Sequence, residues 1–141
     1  MRTRIIDPSE LAQLNEIPEA RLGAHLLVDF LECSSLPSES ALLEEWMLGA
    51  AEKLGATVVT STFHAFSPHG LSGVVVIAES HLAAHTWPEH RAACLDFFTC
   101  NESMDAAAGL RYLFEQFGAG SMQLLEASRA CNLGSRLDSQ N

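Results

Sequence analysis

Two stretches of this sequence space their apolar residues at helical intervals, and both are set among runs dense in β-branched and aromatic side chains. In residues 38–54, Leu43, Trp46, Met47, Ala50 and Leu54 share one face, with Glu44, Glu45, Glu52 and Lys53 around the rest. Ser38 or Ser40 can cap its start, and Gly55 suits the left-handed position just past its end. The second stripe is Ala106, Leu110, Leu113, Phe114 and Phe117, with Ser103 ahead and Gly118 behind. A helix with a single apolar stripe has one face to bury, and two such helices are satisfied by one face of a sheet. The expected fold is therefore α+β: a two-layer sandwich of an antiparallel sheet with both helices on one face.

The strands come from the runs between. Residues 25–33 (HLLVDFLEC), 57–66 (TVVTSTFHAF), 71–79 (LSGVVVIAE), 92–100 (AACLDFFTC) and 121–128 all read as extended. Ser67-Pro68-His69-Gly70 supplies a turn that makes a hairpin of the second and third. Residues 1–22 are polar, with Pro8 and Pro18 as breakers, and read as an N-terminal extension with a short helix around 9–15. The remainder reads as one domain over 23–130 and a flexible tail over 131–141.

Charge removes several classes of function. With 18 Asp and Glu against 8 Lys and Arg, the chain carries a formal charge of −10, so neither a nucleic-acid nor an anionic-membrane partner is expected. The longest apolar run, residues 74–78, is far short of a membrane span, and no secretory signal follows Arg2 and Arg4. Cys33, Cys94, Cys100 and Cys131 form no CxxC pair and read as reduced thiols, which points to the cytoplasm.

Chemistry-bearing residues concentrate in 72–100, which holds His81, His85, His90, Ser72, Ser80, Glu79, Glu89, Asp96 and Cys100. A zinc site is not expected, because Pro88 and the extended surroundings deny the histidines a helix and no CxxC completes a ligand set. A serine hydrolase lacks its glycine-flanked nucleophile elbow, and Gly70-Leu71-Ser72-Gly73 lacks the lysine and helix of a phosphate loop. Lys53 is the only lysine and lies on the polar side of a helix, so an enzyme using pyridoxal phosphate is not expected either.

The string as a whole is more specific. Glu79-Ser80-His81-Leu82-Ala83-Ala84-His85-Thr86-Trp87-Pro88-Glu89, followed by Asp96-Phe97-Phe98-Thr99-Cys100, resembles the prokaryotic S-adenosylmethionine decarboxylase proenzymes over roughly residues 23 to 120. The resemblance implies a self-cleaving chain whose cofactor is a pyruvoyl group made from Ser80. The Ser80 hydroxyl attacks the Glu79 carbonyl, the amide becomes an ester, and β-elimination followed by hydrolysis leaves a β chain of 1–79 and an α chain of 80–141. It further implies His85 as proton acceptor and Ser72 as a second processing residue. In turnover the pyruvoyl group forms a Schiff base with the substrate, and Cys100 is the proton donor. Phe66, Trp87 and Glu89 match substrate-binding positions, where aromatic faces and a carboxylate suit a sulfonium and an adenine ring. A homodimer of cleaved protomers, with sites near the interface, and a role in polyamine (spermidine) biosynthesis complete what is implied.

The match breaks in places. His90-Arg91 stands where the family has Tyr or Gly-Tyr, and Asn101 follows the Phe-Thr-Cys where glycine is common. A guanidinium at Arg91 turned inward would oppose a bound sulfonium. Two alternatives therefore stand beside S-adenosylmethionine as substrate: pyruvoyl-dependent decarboxylation of a basic amino acid such as arginine or ornithine, and an inactive regulatory paralogue.

Overall fold

The computed structural model of the chain describes residues 2–15, 21–100 and 103–131. Its strands are β1 (Arg2–Ile5), β2 (Arg21–Leu31), β3 (Val58–Ala65), β4 (Leu71–Ile77), β5 (Ser80–Trp87), β6 (Ala92–Thr99) and β7 (Ser121–Cys131). They make one antiparallel sheet in the order β1-β7-β2-β6-β5-β4-β3. Helices α1 (Ser40–Leu54) and α2 (Ala106–Gln116) cover one face, as the two stripes require.

Alternation along the central strands decides which residues meet the helices. Leu26, Val28 and Phe30 of β2, Leu82 and Ala84 of β5, and Ala93, Leu95 and Phe97 of β6 are buried. They pack with Leu43, Met47, Ala50, Ala51 and Leu54 of α1 and Leu110 and Leu113 of α2 in one core. Phe117, just past α2, is fully buried between Phe30 and Trp46, with ring centroids at 5.7 and 5.4 Å. The other face of these strands and of β4 carries His25, Leu27, Asp29, Ser72, Val74, Val76, His81, Ala83, His85, Cys94, Asp96 and Phe98, and among the described residues no helix covers it.

Gly73 has a packing reason. It faces Phe63 across the β3–β4 ladder, and a Cβ built on it would lie 1.9 Å from that ring. The Phe63 side chain therefore occupies the space that a larger residue would need.

Several local expectations change. Helix α1 starts after Glu39 with no side-chain cap, so neither Ser38 nor Ser40 fills that role, while Gly55 takes the left-handed C-cap at φ +79°. Asp105, not Ser103, caps α2, accepting from the Ala108 amide at 3.1 Å. Residues 80–87 form a strand of their own, which doubles the hairpin into the three-strand meander β3-β4-β5. The N-terminal extension joins the sheet. β1 pairs with β7, a 3₁₀ helix over Pro8–Asn15 follows, and Ile6 and Leu14 enter the core. At the start of β2, Arg21 donates to the buried Glu126 carboxylate of β7 at 3.2 Å and to Ser128 Oγ at 2.9 Å. Cys131 still belongs to β7, and the rest of the tail expected over 131–141 lies outside the described residues.

Candidate functional site

The β4–β5 connection holds the Glu79–Ser80 peptide. Ile77 and Ser80 are register partners, leaving Ala78 and Glu79 as a two-residue turn. The turn is fastened to the start of β3: Ala78 N–H donates to the Thr57 carbonyl at 2.8 Å, and the Thr57 amide donates to both Glu79 carboxylate oxygens at 3.2 and 3.3 Å. Two-residue hairpin turns favour positive φ at their central residues, which glycine or asparagine supplies. Here neither is present, and the positive φ falls on Ser80 instead, at +143°. Glu32, Arg91 and Ala130 also have positive φ, but near +50° in the ordinary left-handed well. Such a backbone at a serine stores strain on the order of 1–3 kcal/mol. The carbonyl of Glu79 accepts a hydrogen bond from the Cys100 amide at 2.9 Å. The peptide bond before Ser80 is thus both strained and polarised.

A second group forms at the other end of the same strands. Ser72 and His85 are cross-strand partners, with Ser72 Oγ 2.7 Å from His85 Nδ1. Beneath them the Leu71 amide donates to Thr86 Oγ1 at 3.0 Å, which fixes the start of β4 against β5. The pair opens on a cavity of about 260 Å³ lined by Phe66, His69, Ser72, His85, Trp87 and Glu89, among others. Phe66 is 53% exposed and packs edge-on against His64 at 4.6 Å. Trp87 lies 6.3 Å from the His85 ring, and His69 Nε2 is 3.0 Å from Glu89 Oε2. This cavity joins aromatic faces, a carboxylate and a hydroxyl–imidazole pair, the requirements of a cationic, aromatic ligand.

The expected site residues therefore fall into two groups. Glu79, Ser80 and Cys100 come together at one strand end, and Ser72, His85, Phe66, Trp87 and Glu89 at the other. Ser80 and His85 are five residues apart on β5, and a rise of about 3.3 Å per residue puts their Cα atoms roughly 16 Å apart. No proton passes directly over that distance.

Between the two ends lies a polar cluster that the sequence did not reveal. His25 Nε2 is 3.2 Å from Asp96 Oδ1, Arg129 lies 3.4 Å from His25 Nδ1, and its guanidinium sits 5.3 Å above the Phe98 ring. His81 packs edge-on to both His25 and Phe98, and burial, reinforced by His25, pulls its pKa down. Cys94 is pushed up to about 11 by burial and by its hydrogen bond to Asp29. These residues belong to strands far apart in sequence, and the β7–β2–β6–β5 register brings them together. Among the described residues no three of His, Cys, Asp and Glu converge as a metal site.

The family pattern described as S-adenosylmethionine decarboxylase matches residues 24–130. The chain belongs to the S-adenosylmethionine decarboxylase family. Its relatives in this family include the S-adenosylmethionine decarboxylase proenzymes of Acidithiobacillus ferrooxidans and Thermotoga petrophila. Each is 46% identical over 109 residues, covering 77% of this chain and 82% and 84% of the relative. The proenzyme of Pseudomonas paraeruginosa is 48% identical over 103 residues, covering 72% of this chain and 64% of its own. The crystal structure of the adenosylmethionine decarboxylase from Aquifex aeolicus superposes with a TM-score of 0.70 at 31% identity, over 78% of this chain and 92% of that one. The matched family segment contains both groups of residues and excludes β1 and the 3₁₀ helix. Arg91, the departure that put the substrate in question, does not line the cavity. Its charge acts on the Cys33 thiol, which burial raises more strongly than Arg91 lowers it. Among the described residues no helix is long and apolar enough to cross a membrane.

Proposed function

We propose that this chain is the proenzyme of a pyruvoyl-dependent S-adenosylmethionine decarboxylase, cut between Glu79 and Ser80 and active as a homodimer. It supplies decarboxylated S-adenosylmethionine for polyamine synthesis in the cytoplasm. The observation that carries the reading is the Ser80 backbone at φ +143° next to a carbonyl held by the Cys100 amide. As Ser80 Oγ adds to the Glu79 carbonyl carbon, negative charge develops on the oxygen to which that amide already donates, so the donor stabilises the tetrahedral state without rearranging. Collapse breaks the C–N bond, and the carbonyl is left on the Ser80 oxygen as an ester. Removing the Ser80 α-proton then expels the carboxylate of residue 79. The imidazole of His85, held by Ser72, has the chemistry of that base. Hydrolysis of the dehydroalanine releases ammonia and leaves the ketone.

The 16 Å separation supports a dimer in which these residues come from different copies. The uncovered face of the sheet exposes Leu27 and Val76 and carries Val74 and Phe98 among polar residues such as His25 and Asp96, a mixed surface that a second copy can bury. A two-fold axis between two such faces and perpendicular to the strands reverses strand direction. It brings the Ser80 end of one copy over the His85 end of the other. Each dimer then has two complete sites, with Phe66, Trp87 and Glu89 binding the substrate and Cys100 of the other copy returning a proton to carbon. The pyruvoyl group supplies the electron sink for loss of carbon dioxide.

The relatives' shared name favours neither a basic amino acid substrate nor an inactive paralogue. Release of labelled carbon dioxide from S-adenosylmethionine, arginine and ornithine, assayed side by side, tests the substrate. Turnover confined to the first agrees with the reading, and turnover of arginine or ornithine alone contradicts it.

A further inference from the structure

We propose that His69 is a positioning residue for the substrate cavity, donating from Nε2 to Glu89 Oε2 and holding that carboxylate toward the ligand. The inference rests on the reading of Glu89 as a substrate-binding group. Glu89 stands in the middle of a single 3₁₀ turn, Pro88–His90, too short to hold its side chain by contacts one helical turn away. Both side chains are partly exposed, at 49% for His69 and 37% for Glu89, so packing does not orient the carboxylate either. Among the described residues His69 is its one polar partner, at 3.0 Å.

The hairpin that carries His69 is itself anchored. Phe66 N–H donates to the Gly70 carbonyl at 2.9 Å, closing the Ser67–Gly70 loop so that Phe66 and His69 line the same cavity. Gly70 takes φ +100°, a backbone that suits glycine and turns the chain into β4 directly after His69. With Oε2 engaged by His69, Oε1 remains to accept from a hydroxyl or ammonium donor of the ligand. A carboxylate fixed before binding spares the ligand the ordering of a long, mobile side chain. The same contact joins the β3–β4 turn to the β5–β6 turn across the cavity mouth.

Steady-state kinetics on the full-length protein with S-adenosylmethionine test this with three variants. His69→Leu is expected to raise KM about three- to fivefold with kcat within about twofold, the signature of lost uniform binding from a partly exposed pair. His69→Gln, which keeps an N–H donor, should stay near the wild-type KM. Glu89→Gln should raise KM, and adding His69→Leu to it should raise KM no further. Wild-type KM in His69→Leu, or full additivity with Glu89→Gln, overturns the role of His69 while leaving Glu89 in place. Wild-type KM in Glu89→Gln overturns instead the binding role on which it rests, as does absence of turnover by the wild type. Cleavage of the His69→Leu chain, read by intact mass, shows that the variant has folded.

Discussion

The amide of Cys100 donates to the carbonyl of Glu79 at 2.9 Å, so the proposed proton donor of turnover and the proposed scissile bond are tied by the backbone of one residue. The contact uses the main chain of Cys100 and leaves its thiol out. Processing and turnover therefore depend on different parts of the same residue.

That division predicts opposite behaviour for two substitutions. Ser80→Ala removes the attacking oxygen and should leave the chain uncut. Cys100→Ala keeps the amide donor and should be cut normally, while carbon dioxide release falls by about 10²-fold or more, the usual worth of a positioned proton donor. Gel electrophoresis and a labelled-substrate assay read the two effects separately.

The separation of Ser80 from His85 along β5 predicts complementation between inactive chains. Ser80→Ala and His85→Ala should each remain uncut when expressed alone. Co-expressed, they should form mixed dimers in which the intact His85 of one chain processes the Ser80 of the other, and cut His85→Ala chains should appear. Absence of any cut chain from dimers shown to be mixed would place both steps within one protomer.

Gly73→Ala tests the packing of β3 on β4. A Cβ at 1.9 Å from the Phe63 ring forces that side chain to move, and overpacking of this kind costs about 1–3 kcal/mol. Denaturant unfolding should show the loss, and Phe63→Leu in the same chain should recover part of it. A Gly73→Ala chain as stable as wild type would mean that Phe63 moves aside freely.

The thiol of Cys94 gives a pH test. Burial, with Asp29 second, raises it from the ordinary 9.0 to about 11, so folding favours the protonated form. The stabilising contribution is complete below about pH 9 and is lost as pH rises toward 11. Wild-type stability should therefore fall over that window, and Cys94→Ala should fall less steeply. Alkylation near pH 8.5 followed by peptide mapping should label the exposed Cys100 well before Cys94 or the buried Cys33.

Both helices were legible because Leu43, Met47 and Leu54, and Leu110, Leu113 and Phe117, repeat at helical spacing and are in fact buried. The β3–β4 hairpin was legible from two β-branched runs around a proline–glycine turn. β5 was not, because Leu82 and Ala84 on its core face alternate with His81, Ala83 and His85 rather than with strongly polar residues. β1 was hidden for a different reason: Arg-Thr-Arg-Ile has little extended preference of its own and is a strand because β7 offers it an edge. The long Glu79–Cys100 string singled out Glu79, Ser80, His85, Trp87, Glu89 and Cys100 as candidates, while Phe66 and Ser72 came from the adjoining residues before it. Their division between two strand ends was not legible, since it follows from reading residues 80–87 as a strand. His69 was visible as a turn residue only, because its partner Glu89 is brought near by the fold.

Intact-mass spectrometry of the purified wild-type protein bears most directly on all of this. Two chains are predicted, 1–79 and 80–141, the second lighter by one ammonia than a chain beginning with serine. A single uncut polypeptide, or a fragment whose first residue is an unmodified Ser80, would contradict the self-made carbonyl.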